Sequence, residues 1–132
     1  MLAWGMYSRL FVHIVFVTAA GSAISADVPV LQGYVSRVVA EEGAAMLALG
    51  MVSTHVHLLL RLRPTTSIPR LLQRLKGGSA CRVRQATGHA LRWEAGYSVR
   101  SVGERGLDSA RRYVEGQATR HPDQRIPGWS VE

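Results

Sequence analysis

A chain of 132 residues suits one domain with a real core. With 47% hydrophobic and 19% charged residues it is not a disordered polymer, and no stretch approaches the roughly 20 apolar residues of a membrane span. The formal charge of +7 and a pI near 10.7 favour a nucleic-acid partner, the bland alternative being a basic but solvated surface. Lys76 is the only lysine among 16 basic residues, and arginine's planar fork suits two-point contact with phosphate. Cys81 stands alone, which rules out an internal disulfide and makes a cytoplasmic location the simpler inference.

In chain order, Leu10 to Thr18 predicts a buried β-strand rich in β-branched residues. Arg9, the apolar run to Ala20 and the small residues Gly21-Ser22-Ala23 imitate a secretory signal, but His13 interrupts the run and the strand reading is preferred. Asp27 is placed to cap a helix that has Pro29 in its first turn and runs to about Glu42. Val30, Leu31, Tyr34, Val35, Val38 and Val39 form its apolar stripe, and Gly43 ends it. Ala44 to Met51 is a second strand, turned at Val52-Ser53-Thr54 into a third that ends near Leu62, so the two form an antiparallel hairpin.

On that third strand the alternation of side chains sends His55, His57 and Leu59 to one face, and Val56, Leu58, Leu60 and Leu62 to the other. Two imidazoles at i and i+2 can aim at one point above the sheet, as a metal ion requires. By spacing alone the pair reads equally as a half-buried strand with solvent-facing histidines. Ser67 and Pro69 open a second helix, with Ile68, Leu71, Leu72 and Leu75 on its apolar stripe. Arg70, Arg74, Lys76, Arg82 and Arg84 lie on its polar side and are candidates for phosphate contact. Gly77-Gly78 inside it predicts a kink or a close backbone approach, and Gly88 ends it. Leu91-Arg92-Trp93 and Tyr97 to Val102 read as short strands around a turn. A last helix spans about Leu107 to Ala118, with Tyr113 and Gln117 one turn apart and pointing the same way. The tail from about 121 reads as irregular, and the chain as one domain, 1–132. Trp93, Tyr97 and Trp129 are candidates for stacking on bases, with ordinary packing as the alternative.

The elements His55-Val56-His57, Ser67-Ile68-Pro69-Arg70-Leu71-Leu72-Gln73-Arg74-Leu75-Lys76-Gly77, Gly96-Tyr97-Ser98-Val99-Arg100-Ser101-Val102 and Arg112-Tyr113-Val114-Glu115-Gly116-Gln117 follow in an order that resembles a known family. This is the single-tyrosine transposases of the insertion sequence 200/605 type, within the histidine-hydrophobe-histidine endonucleases. The resemblance implies an α+β, ferredoxin-like (RRM-like) antiparallel sheet with helices packed on one face, the IS200-like transposase fold. It implies that His55, His57 and Gln117 hold a divalent metal, Mg²⁺ or Mn²⁺, and that Tyr113 is the nucleophile. The implied activity is a DNA transposase, a single-stranded DNA endonuclease and strand transferase forming a 5′-phosphotyrosine at hairpin-bearing ends. The implied assembly is a homodimer in which the tyrosine helix of one subunit can complete the site of the other.

Tyrosine, with a free pKa near ~10, is a poor nucleophile at neutral pH, and Arg112 is a candidate to supply the cationic charge beside it. Relatives tend to carry an acidic or amide residue just before the histidine pair, where this chain has Thr54, and a basic loop where it has Ala19-Ala20-Gly21. The alternative function is a catalytically inactive or domesticated relative, a module that grips single-stranded nucleic acid.

Overall fold

The computed structural model describes residues 8–25 and 27–129. Strand β1 (Leu10–Val17) is followed by helix α1 (Val28–Glu41), the hairpin of β2 (Ala45–Val52) and β3 (His55–Leu62), and helix α2 (Ile68–Gln73). One π-helical turn (Arg74–Gly78) joins α2 to α3 (Ser79–Thr87). Then come β4 (Ser98–Val102), α4 (Leu107–Glu115) and the single turn α5 (Gln117–Arg120). The strands form one antiparallel sheet in the order β2-β3-β1-β4, in keeping with the ferredoxin-like fold that the resemblance implies.

One face of the sheet carries Val12, Ile14 and Phe16 of β1, Val56, Leu58 and Leu60 of β3, and Leu49 and Met51 of β2. Against it pack Leu31, Val35 and Val38 of α1, Leu71 and Leu72 of α2, Leu75, and Val83 of α3. Alternation on the strands and 3.6-residue spacing on the helices make these two apolar surfaces meet. Full burial of each such side chain is worth about 1.5–3 kcal/mol. Helices α1 to α3 cover this face as expected, and α4 adds a layer on the opposite one. A smaller cluster of Ala48, Leu59 and Val114, flanked by Leu47, Val102, Leu107 and Ala110, seats it there.

The expected kink at Gly77-Gly78 is the π turn. A Cβ on Gly78 would lie 1.6 Å from Tyr34 Oη, so glycine leaves room for the Tyr34 ring, whose Oη donates to Arg74 O at 3.1 Å. Other details depart from the sequence reading. Asp27 precedes α1, but its side chain caps nothing; the buried carboxylate accepts from Ser25 N at 2.8 Å and faces His89 Nδ1 at 3.2 Å. Leu91–Trp93 makes no strand, only a bridge between Thr18 and Trp93, because β4 takes the free edge of β1. The tail has one 3₁₀ turn (Pro122–Gln124) and is anchored nonetheless: Ile126 is buried in the main core, and Ser53 N donates to Gln124 O at 2.8 Å.

Among the described residues no helix is long and apolar enough to cross a membrane. The apolar run that imitated a signal is the central strand β1.

Candidate active site

His55 and His57 project from β3 onto the face covered by α4, with ring centroids 5.0 Å apart. The helix reaches them in register. Four residues along a helix advance about 6 Å and two along a strand about 6.6 Å, so Tyr113 meets His57 while Gln117 meets His55. The Tyr113 and His57 centroids are 5.8 Å apart, and His55 Nε2 lies 3.4 Å from Gln117 Oε1. The expected continuous helix breaks at Gly116, after which α5 carries Gln117. Gln117 is buried, 1% exposed, and its amide is oriented by Nε2 donating to Tyr113 O at 2.8 Å. Tyr113 is 38% exposed, open to an incoming group.

The close seating of α4 depends on Gly50, which pairs with His57 across the hairpin. A Cβ there would fall 1.8 Å from Val114 O and 2.8 Å from its carbonyl carbon, and backbone cannot yield that far. A lone glycine inside a strand pattern is the sequence signal for such a close backbone approach. His13 of β1, which in the sequence only interrupts an apolar run, also belongs to the site. Its Nε2 shares a 2.9 Å hydrogen bond with His57 Nδ1, and its ring centroid is 5.7 Å from that of Tyr113. The antiparallel register of β1 on β3 brings the two imidazoles together, which no local spacing reveals.

All three imidazoles are held below the ordinary histidine range. Burial is the main cause for His57, pushed down to about 3, with His55, His13 and His121 adding repulsion. Burial likewise lowers His55, opposed by its contact with Gln117 and helped by His121, and lowers His13, helped by Arg100. Neutral imidazoles are the form that binds a metal, with no proton to displace. Among the described residues no three His, Cys, Asp or Glu side chains converge on a metal-sized point. The candidate set is two imidazoles and an amide oxygen, a donor chemistry that fits a divalent ion, with His55 Nε2 and Gln117 Oε1 3.4 Å apart.

Beside Tyr113 the groove continues between β4 and α4 as an open cavity of about 700 Å³, lined by His13, His57, Ser98, Arg100, Ser109 and Tyr113. The cation against the tyrosine is Arg120, whose Cζ lies 4.3 Å from the ring centroid; Arg112, expected in that place, is exposed on α4 with no such contact. The other basic candidates stand on the far side of the sheet. Arg70 pairs with Glu42 at 3.1 Å, and Arg74 with Glu41 at 2.6 Å and Glu42 at 2.8 Å. Arg74 first, and Arg70 with it, hold the Glu42 carboxyl below the usual range against the opposing effect of burial. Lys76 Nζ donates to the carbonyls of Glu94 and Gly96 at 2.6 and 2.7 Å. Arg82 and Arg84 are exposed. Trp93 packs edge-on against Phe16 and donates to Ser79 Oγ at 3.0 Å, and Trp129 packs against the core; of the aromatic stacking candidates, Tyr97 is the exposed one.

A ferredoxin-like sheet with a histidine-hydrophobe-histidine strand under a tyrosine-bearing helix is the architecture of the IS200-type transposases. The chain belongs to that family: the profile described as "Transposase IS200 like" matches residues 6–117. It is similar to the ISDra2 transposase TnpA of Deinococcus radiodurans, 28% identical over 87 residues, a stretch covering 61% of this chain and 62% of that protein. A solved D. radiodurans R1 structure described as a transposase superposes with a TM-score of 0.65 at 26% identity, over 84% of this chain and 93% of that one. A REP-associated tyrosine transposase, solved bound to a REP hairpin, shares the fold with a TM-score of 0.67 at 13% identity, over 87% and 73% of the two chains.

Proposed function

We propose that the protein is a DNA transposase that cleaves and rejoins single-stranded, hairpin-bearing DNA through a tyrosine nucleophile. The observation that supports this best is the packing of an exposed tyrosine against two neutral histidines, one turn from a buried glutamine that reaches a third. Tyr113 Oη would give up its phenolic proton to solvent and attack the scissile phosphorus, forming the phosphotyrosine bond as the bond to the 3′-oxygen breaks. The leaving oxygen takes a proton and departs as a 3′-hydroxyl. A later hydroxyl attacks the same phosphorus, restores the strand and frees the tyrosine, so no external energy source is needed.

His55, His57 and Gln117 would hold the divalent ion, Mg²⁺ or Mn²⁺, whose chemistry is to neutralise charge on the non-bridging oxygens. Arg120 fixes the tyrosine ring from its outer side, and Arg100 offers a guanidinium to a phosphate in the adjoining groove. The homodimer that the resemblance implies is part of the proposal, but a second copy is not needed to complete the site, since Tyr113 and Gln117 reach the histidines of their own chain.

Incubation with a hairpin oligonucleotide labelled at its 3′ end, downstream of the cleavage site, and Mn²⁺ should give a covalent adduct that survives denaturation and is absent from Tyr113→Phe. Binding without any adduct in the wild type would instead support a module that only grips nucleic acid.

A further inference from the structure

The hydroxyl immediately before the histidine pair has a defined task. Thr54 Oγ1 donates to Gln124 Oε1 at 2.9 Å and lies 3.0 Å from His55 Nδ1. A hydroxyl has one proton; with that proton directed to Gln124, the oxygen can only accept from His55, so the imidazole proton sits on Nδ1. In that tautomer the lone pair is on Nε2, 3.4 Å from Gln117 Oε1, so this contact is a pair of acceptors open to a cation and not a hydrogen bond.

We infer that Gln124 and Thr54 form a relay that fixes the tautomer and ring plane of His55 and turns its free nitrogen toward Gln117. Both are positioning residues. The relay's purpose rests on the metal reading of the site, whereas its geometry does not.

Gln124 is held in place from several sides. It closes the 3₁₀ turn Pro122–Gln124, its N–H donates to His121 O at 2.9 Å, and its carbonyl accepts from Ser53 N at 2.8 Å in the turn between β2 and β3. Two residues on, Ile126 is 3% exposed in the main core. The tail is therefore pinned where its amide can reach Thr54, and the His121 ring stands edge-on to His55 at 5.1 Å. The family profile stops at residue 117, so the amide that orients His55 comes from a part of the chain outside the matched region. Partners on the second nitrogen of a metal-bound imidazole set its orientation, and their loss lowers metal affinity by about 10–100-fold.

Two readouts test the relay. In chelator-treated protein with ¹⁵N-labelled histidine rings, long-range ¹⁵N–¹H spectra report which nitrogen of His55 is protonated. Nδ1–H is expected in the wild type, a shift toward the other tautomer in Thr54→Val and in Gln124→Leu, and a return to Nδ1–H in Thr54→Ser. An unchanged backbone amide spectrum certifies the fold of each variant, and if one fails to fold the other decides. In parallel, Mn²⁺ titration should show affinity about 10-fold or more weaker in Thr54→Val and Gln124→Leu, recovered in Thr54→Ser. A wild-type His55 protonated on Nε2, or a tautomer unmoved in a folded variant, overturns the relay. A tautomer that responds as expected in a protein that binds no Mn²⁺ overturns the metal reading and upholds the relay.

Discussion

Val56, Leu58 and Leu60 leave β3 on one side, and His55, His57 and Leu59 on the other, and the two sides are covered by very different amounts of apolar surface. Three helices bury more than a dozen large side chains against the first side. A single helix is held to the second by a cluster centred on Ala48, Leu59 and Val114, with a glycine where a side chain would have stood. The first side supplies stability without chemistry. The second leaves room for a tyrosine, three imidazoles and a groove, so its helix is positioned by backbone contact and hydrogen bonds more than by burial. Changes to the two faces should therefore separate folding from activity.

The largest effect expected is on the polar face, where Tyr113→Phe removes the nucleophile and should abolish adduct formation while leaving the melting temperature near that of the wild type. A melting temperature that collapsed with the activity would mean that the faces are not separable. Gly50→Val comes next. Its Cβ would collide with the Val114 carbonyl, so α4 must lift away from His57. Overpacking of this kind costs about 1–3 kcal/mol, leaving the first face folded, and adduct yield should fall at least tenfold. An active Gly50→Val would show that α4 need not sit as described.

The comparison is sharpened by pH. In chelator-treated protein, His57 and His55 are neutral in the fold and titrate below the ordinary histidine range. Their unfolded counterparts, with pKa near ~6.5, take up protons first as pH falls. The unfolded state then binds more protons, and stability declines from about pH 6.5 downward by at most about 1.4 kcal/mol per pH unit for each group. Thermal melts between pH 7 and 5 should show this decline, and His57→Gln should flatten it; parallel slopes in the two proteins would refute the assignment.

Arg74→Gln should have the smallest effect. Arg74 is tied to Glu41 and Glu42 beneath α1, on the face away from Tyr113, so adduct yield measured on the hairpin oligonucleotide should stay within about twofold of the wild type, as befits an ion pair between partly exposed groups. A large loss would return the basic helix to the DNA-binding surface.

Much of this division was legible in the sequence. Alternation on β3 separated the apolar side chains from the histidines, helical spacing placed Tyr113 and Gln117 on a common side, and Gly77-Gly78 marked the bend that proved to be a π turn. What escaped were contacts between residues far apart in the chain. His13 meets His57 only because β1 pairs with β3, and Arg120 lies over the Tyr113 ring from the far side of the break at Gly116. Gln124 reaches Thr54 only because the tail folds back on the β2–β3 turn. Arg70 and Arg74 looked free because their acidic partners end a helix some thirty positions earlier, and side-chain spacing along one helix says nothing of a neighbour.

The central claim is that Tyr113 and the histidine pair form one site within one chain. Mn²⁺ added to protein with isotope-labelled tyrosine rings tests it, since the bound ion broadens nearby NMR signals. The account predicts that the Tyr113 signal broadens at low Mn²⁺ while that of Tyr34, across the sheet under the π turn, persists, and that His55→Ala removes the effect. Specific Mn²⁺ binding that left Tyr113 sharp, or that broadened Tyr34 first, would contradict it.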